Sequence, residues 1–140
     1  VSYSSSANYK VRLEYNMRKL LTNMGLAVVF IWFMVGGITH FTNPDFYVAI
    51  MPPYLPLHLE IVYFSGALEV LFAGLLLLPS KRHLAGNLLI ALTLAVTPAN
   101  IYMWQNPEAF PDVEPSFLSL RLLVQALLLA IIWWTTRDKQ

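Results

Sequence analysis

The stretch HFTNPDFYVAIMPPYLPLHLEIVYFSGALE, residues 40–69, decides the fold because it joins two long apolar runs through a proline-rich segment. Its last residue, Glu69, is the single charged residue between positions 61 and 78. A carboxylate at the centre of a bilayer costs roughly 2.5 to 3.5 kcal/mol on insertion scales unless it finds a partner or binds a proton. The stretch therefore predicts a membrane-spanning helix that carries a polar site.

The composition of the 140-residue chain is that of a membrane protein. It is 57% hydrophobic and 12% charged, with a mean hydropathy of +0.57, whereas about 25% charged residues is usual in soluble domains. The sequence contains no block of basic residues, so nucleic-acid binding is not predicted. The absence of cysteine excludes disulfides, thiol nucleophiles and iron–sulfur ligation within this chain.

Four apolar runs predict an all-α fold, a polytopic membrane four-helix bundle. The predicted spans are residues 20–38, 56–78, 84–102 and 116–135. Each is long enough to cross a hydrocarbon core of about 30 Å at about 1.5 Å per residue. The first run is too long for the apolar core of a signal peptide, so we expect it to stay as a span. The predicted division is a cytoplasmic arm over 1–19, the bundle over 20–135 and a cytoplasmic tail over 136–140.

The distribution of basic residues predicts that both termini face the cytoplasm. Eight of the nine lysines and arginines lie in the two tails and the middle loop, and the ninth is Arg121. The other two loops carry Asp45, Glu108, Asp112 and Glu114. Basic residues are enriched in cytoplasmic loops, so those two acidic loops are expected outside.

The N-terminal arm alternates apolar and polar residues between Tyr9 and Arg18, a period of two that favours a strand. A lone strand is unstable in water and needs an edge to join. Two interpretations stay open: a frayed or interfacial arm next to the membrane, or a docking arm for a partner protein.

Polar residues of the spans predict a buried network. In the second span His58, Ser65 and Glu69 fall on one helical face, and in the fourth Arg121 and Gln125 are one turn apart. We expect Glu69 to face Arg121 or Gln125, directly or through one water. The other members of the predicted network are His40, His58, Ser65 and Asn100. The network is either a structural charge pair or a site for a proton, a quinone-like headgroup or another small polar ligand.

Small residues and prolines are predicted to shape the bundle. Gly36, Gly37 and Gly66 would let helices approach closely. Pro52 and Pro53 are expected in an ordered cap, and Pro98 is expected to kink the third span.

Catalytic and metal sites are not predicted. His40, His58 and a glutamate could bind zinc, copper or iron, but no tight ligand spacing such as HExxH supports it. No nucleophile elbow or ordered triad can be read. Whether the chain is an enzyme stays open at this point, and the sequence favours the absence of catalysis by this chain alone.

The motifs GGITHF, MPPYLPLH, SGALE, PANIYM and LRLLVQ resemble the DoxX-like family of small four-helix bacterial membrane proteins. The resemblance covers roughly residues 25–135. It implies a multi-pass protein of the bacterial plasma (inner) membrane, in a family that includes a subunit associated with thiosulfate:quinone oxidoreductase. A link to thiol redox chemistry is not expected, because the chain has no cysteine.

Three functions are compatible with the sequence. The first is a noncatalytic accessory or assembly subunit of a larger membrane complex, which the alternating arm favours. The second is a redox membrane protein that handles a quinone or another small ligand, with quinone or lipid as the bound molecule, in an outer polar pocket. The third is a small transporter or proton pathway, which the depth of Glu69 permits. The expected partners are the lipid bilayer and the larger complex, not nucleic acid.

Overall fold

The computed structural model describes residues 2–137, and all regular secondary structure among them is helical. The helices are α1 (Ser2–Thr42), α2 (Pro44–Ala49), α3 (His58–Leu75), α4 (Arg82–Gln105) and α5 (Pro115–Arg137). Two 3-10 turns, Pro79–Lys81 and Pro107–Ala109, precede α4 and α5. Most of the predicted tail over 136–140 lies outside the described residues.

Four helices of the described chain are long and apolar enough to cross a membrane: α1, α3, α5, and α4 with the turn before it. The prediction of an all-α, multi-pass membrane protein is confirmed at that level. The boundaries of α3, α4 and α5 differ by a few residues from those of the predicted spans. The helix α3 is shorter than its predicted span, and α4 and α5 are longer.

The prediction of an extended arm is wrong. Residues 9–18 belong to α1, which continues without a break from position 2 into the first span. No glycine or proline occurs between positions 2 and 24, and a helix satisfies its own backbone hydrogen bonds whereas a lone strand does not. The apolar residues Tyr9, Leu13 and Met17 also recur at helical spacing, so the alternation fitted both periods.

The spanning helices pack in a ring, in which α1 and α4 each contact both α3 and α5. Glycines permit the close approaches. A Cβ added at Gly66 of α3 would lie 2.5 Å from the Cβ of His40, and one added at Gly37 of α1 would lie 2.7 Å from the Gly66 carbonyl oxygen. Gly86 of α4 leaves room for Thr136 of α5 in the same way.

Two apolar clusters close the two ends of the bundle. The larger cluster fills the half nearest the α3–α4 turn, and its fully buried members include Val29, Ala73, Leu89 and Ile132. A smaller cluster of Ile50, Met103 and Leu118 lies at the other end. A cavity lies between the two clusters.

The segment between α1 and α3 forms a cap over the cavity end. Proline at the first position of α2 supports a short helix in a segment whose prolines predict only a loop. Met51 and Pro52 are buried and Pro53 is exposed. Leu57, just before α3, adopts a left-handed conformation with φ of 52°, which is costly for a residue with a Cβ.

Candidate ligand-binding site

A cavity of about 650 Å³ lies between the two apolar clusters, with walls from all four spanning helices and from α2. Most of its lining is apolar. Its polar side chains form two groups on opposite pairs of helices. The α1–α3 side contributes Thr39, His40, Ser65 and Glu69, and the α4–α5 side contributes Thr93, Asn100, Arg121 and Gln125.

His40 is fixed by the backbone of α3. Its Nδ1 lies 2.8 Å from the carbonyl oxygen of Val62, so Nδ1 carries the hydrogen and donates it. The hydroxyl of Ser65 donates to the same carbonyl and lies 3.1 Å from Nδ1. These contacts direct Nε2 towards Glu69, whose Oε1 lies 3.6 Å away.

Glu69 occupies space that glycine leaves in α1. A Cβ at Gly36 would lie 2.8 Å from Oε2 of Glu69, so a larger residue there would displace the carboxylate. The Glu69 side chain is 12% exposed. It lines the cavity and makes its polar contact with His40, whereas its oxygens form no hydrogen bond to the rest of the described chain.

Tyr47 of α2 extends the first polar group. Its hydroxyl lies 2.6 Å from Oγ1 of Thr39, and since that Oγ1 donates to the Gly36 carbonyl, the tyrosine hydroxyl is the donor to Thr39. The Tyr47 ring also packs on the His40 ring, with 3.8 Å between centroids. Sequence reasoning missed this contribution, although Asn43 followed by Pro44 is a helix-start signal.

The second polar group is a directed chain of hydrogen bonds. Arg121 donates through Nη2 to Asn100 at 2.9 Å, and Asn100 donates to Gln125 at 2.6 Å. Gln125 then donates to Thr97, whose hydroxyl donates to the Thr93 carbonyl. Because each amide both accepts and donates, the chain fixes the orientation of Asn100 and Gln125 and holds Arg121 against α4.

Arg121 keeps unused donor capacity. Its Nε is buried and has no hydrogen-bond partner in the described part of the chain. Its guanidinium carbon lies 5.8 Å from the centre of the Phe46 ring, a cation–π arrangement that α2 provides. Because Nε is closed to the cavity, a ligand there would accept a hydrogen bond from Nη1, which is neither buried nor hydrogen-bonded within the described residues.

Glu69 was predicted to pair with Arg121 or Gln125 either directly or through one water, and the direct contact is not formed among the described residues. Glu69 contacts His40 instead, and both Arg121 and Gln125 bond Asn100. The side chains nevertheless line the same cavity. The physical reason is local: the gap at Gly36 accepts the carboxylate beside α1, and Asn100 satisfies the guanidinium from the adjacent helix.

His58 does not join the other predicted site residues. Its Nε2 lies 3.2 Å from the Pro52 carbonyl oxygen, where it ties the start of α3 to the cap. Pro98 lies inside α4 and lines the cavity, and α4 continues past it to Gln105.

The most exposed large apolar residues of the lining lie on α1 and α5, which indicates an opening of the cavity between these two helices. Lining residues of these two helices are roughly half exposed, namely Ile31, Trp32, Val35, Phe117 and Leu120. All five are apolar or aromatic, so this opening would face hydrocarbon rather than water. Across residues 2–137, no three histidine, aspartate or glutamate side chains gather as a metal site.

Comparison with known proteins identifies one family. A family model described as "Domain of unknown function (DUF8561)" matches residues 27–136, which include every span-forming segment except the start of α1. No curated protein matches the chain. No solved structure matches it either. The resemblance to the DoxX-like family stays a prediction.

Proposed function

We propose that this chain, which belongs to the DUF8561 family of unknown function, is a membrane protein that binds a lipid-soluble small molecule, a quinone or a lipid, in its central cavity. The observation that carries the proposal is the cavity of about 650 Å³ between two packed clusters. Small-molecule sites are typically apolar clefts of about 300 to 1,000 Å³ with a few placed polar groups.

The chemistry of the walls supports recognition of a polar headgroup. Arg121 offers a donor that is not hydrogen-bonded among the described residues, and the hydroxyl groups of Tyr47 and Thr39 line the same cavity. A quinone carbonyl, an ester or an acid would accept from Arg121, while an apolar tail would contact the lining from α1 and α5. Both parts of such a molecule are accommodated.

A pair of tryptophan substitutions on α5 tests the proposal. Leu120 lines the cavity opening, whereas Leu127 does not, and the two are similarly exposed at 48% and 55%. Protein purified in mild detergent from its native membranes should carry a lipid-soluble molecule detectable by mass spectrometry after solvent extraction. Leu120→Trp should lower its occupancy several-fold, and Leu127→Trp should not. Equal occupancy in both variants, or no bound molecule in the unaltered protein, would contradict the proposal.

A second role, as an accessory subunit of a larger membrane complex, is favoured by the N-terminal part of α1. Residues 5–21 are all exposed although they include Tyr9, Leu13 and Met17. An exposed helix with apolar side chains outside the bundle offers a docking surface. Deleting residues 2–18 should abolish association with the complex while the bundle stays inserted. Copurification of the truncated protein at full stoichiometry would exclude docking through the arm.

We also propose that the protein lies in the bacterial plasma membrane with both ends on the cytoplasmic side. The support is the distribution of basic residues, since Lys10, Arg12, Lys81 and Arg82 lie in the segments assigned to that side. Four spans return the chain to the side on which it started.

A further inference from the structure

We infer that the ligand of this cavity is a monoanionic amphiphile, a single-chain carboxylate, whose acid group binds Arg121 and whose apolar chain leaves between α1 and α5. The inference rests on the proposed function and adds the charge of the ligand. It follows from the charges of the two polar walls, from the unused donor of Arg121 and from the position of the opening.

The geometry of His40 and Glu69 favours a pair with no net charge. Because Nδ1 of His40 donates to the Val62 carbonyl, a neutral imidazole would present only a lone pair at Nε2. An ionised carboxylate 3.6 Å away would also present only lone pairs. A proton on either group removes this conflict, and in both cases the pair carries no net charge. Glu69 is therefore not available as the counter-ion of Arg121.

Arg121 has no other counter-ion within the part of the chain that the structure describes. The described residues that interact with it are Asn100, Phe46 and Tyr47, none of which carries a carboxylate. An uncompensated guanidinium inside a membrane is costly, and such groups are normally paired. A monoanion in the cavity supplies the missing charge.

The planar shape of the Arg121 guanidinium favours a carboxylate as the anionic group of the ligand. A guanidinium presents its donors in a plane, which matches the two oxygens of a carboxylate. Asn100 takes a hydrogen bond from Nη2, and Nη1 is neither buried nor hydrogen-bonded within the described residues, so it is open to a carboxylate. The hydrogen-bonded chain through Gln125 holds the guanidinium in place before a ligand arrives, which lowers the entropic cost of binding.

The apolar lining of the opening indicates that the part of the ligand beyond its acid group is a hydrocarbon chain. Its flanking residues Trp32, Val35 and Leu120 are apolar or aromatic and about half exposed. An amphiphile with its acid group on Arg121 can keep its hydrocarbon chain in this gap and in the bilayer. A small hydrophilic anion would gain the charge contact but would leave the apolar lining without a partner.

Binding of cis-parinaric acid and of its methyl ester to the purified full chain tests the inference. The two probes share their fluorescent chain and differ at the acid group. Trp32 lines the cavity, so the part of the energy transfer from tryptophan that is lost in a Trp32→Phe variant reports occupancy of the cavity. At an alkaline pH at which the acid is ionised, the acid should bind at least tenfold more tightly than the ester. Equal affinities would overturn the inference while leaving the proposed function intact. Binding of neither probe would count against both.

Arginine substitutions give the second readout. Arg121→Gln should reduce acid affinity about tenfold or more and leave ester affinity within about threefold, and retained ester binding also shows that the variant is folded. Arg137→Gln is the matched control, because Arg137 stacks on Trp133 and bonds Asn87 outside the cavity. Unchanged acid binding by Arg121→Gln would overturn the inference. If that variant does not fold, the acid–ester comparison on the unaltered protein decides.

Discussion

Oε1 of Glu69 lies 3.6 Å from Nε2 of His40, in a cavity that Arg121 also lines without forming an ion pair with Glu69. Glu69 of α3 is therefore held by His40 of α1, whereas Arg121 of α5 is held by Asn100 of α4. A cavity that kept them together would be closed by their own ion pair. Their separation leaves space between two polar walls.

Removing the charge of Glu69 should cost less stability than removing the side chain of Arg121. Glu69→Gln keeps the shape beside Gly36, and its amide can donate to His40, so we expect a loss of less than about 1 kcal/mol. Arg121→Ala removes the donor to Asn100 and the contact with Phe46, with an expected loss of about 2 to 3 kcal/mol. Unfolding in detergent measures both. The reverse order would show that the carboxylate carries more of the stability than the guanidinium does.

The α1–α3 crossing should not tolerate a methyl group at Gly66. A Cβ there would lie 2.5 Å from the Cβ of His40 and 2.9 Å from the Gly37 carbonyl oxygen. We expect Gly66→Ala to destabilise the bundle by about 1 to 3 kcal/mol through overpacking. Gly74→Ala is the matched control in the same helix, because nothing lies within 4 Å of its added Cβ. A similar thermal shift in both variants would contradict the close approach.

Relief of the left-handed backbone at Leu57 should stabilise the protein. Its φ is 52° and the side chain is 66% exposed, so little packing is lost on substitution. Because asparagine adopts this conformation more readily, Leu57→Asn should gain about 0.5 to 1 kcal/mol. Leu59→Asn, within the first turn of α3, relieves no strain and should give no gain. An equal gain in both variants would point to polarity rather than to the backbone.

Cysteine labelling tests the proposed orientation. A cysteine at Ala109, in the acidic loop before α5, should react with a membrane-impermeant maleimide added to intact cells. A cysteine at Ser80, in the turn before α4, should react only after the membrane is opened. The natural chain has no cysteine, so neither variant has a background. The opposite labelling pattern would invert the topology.

Sequence patterns predicted the spanning helices well and the partners of the polar residues poorly. The apolar runs of the chain carry enough local information to assign α3, α4 and α5. The choice between His40 and Arg121 as the partner of Glu69 depends instead on which helices adjoin and on a gap at Gly36. Such long-range geometry leaves no mark on the spacing of residues in one helix.

The arm and α2 show two other limits of pattern reading. Alternation between Tyr9 and Arg18 satisfied a strand period as well as a helix period, and the absence of a partner strand decided for the helix. The prolines of the segment between α1 and α3 predict a single loop, whereas α2 begins directly after Asn43. The position of Tyr47 beside the cavity depends on this short helix, so the sequence alone did not predict it.

The short third helix has a consequence for the thickness of the surrounding bilayer. The 18 residues of α3 extend about 27 Å at about 1.5 Å per residue, slightly less than a typical hydrocarbon core of about 30 Å. Hydrophobic mismatch of this kind is met by local thinning of the membrane or by flanking apolar residues, such as Leu77 and Leu78, which are exposed beyond the helix end. Lipids with shorter acyl chains should therefore surround this protein with less deformation than lipids with longer ones.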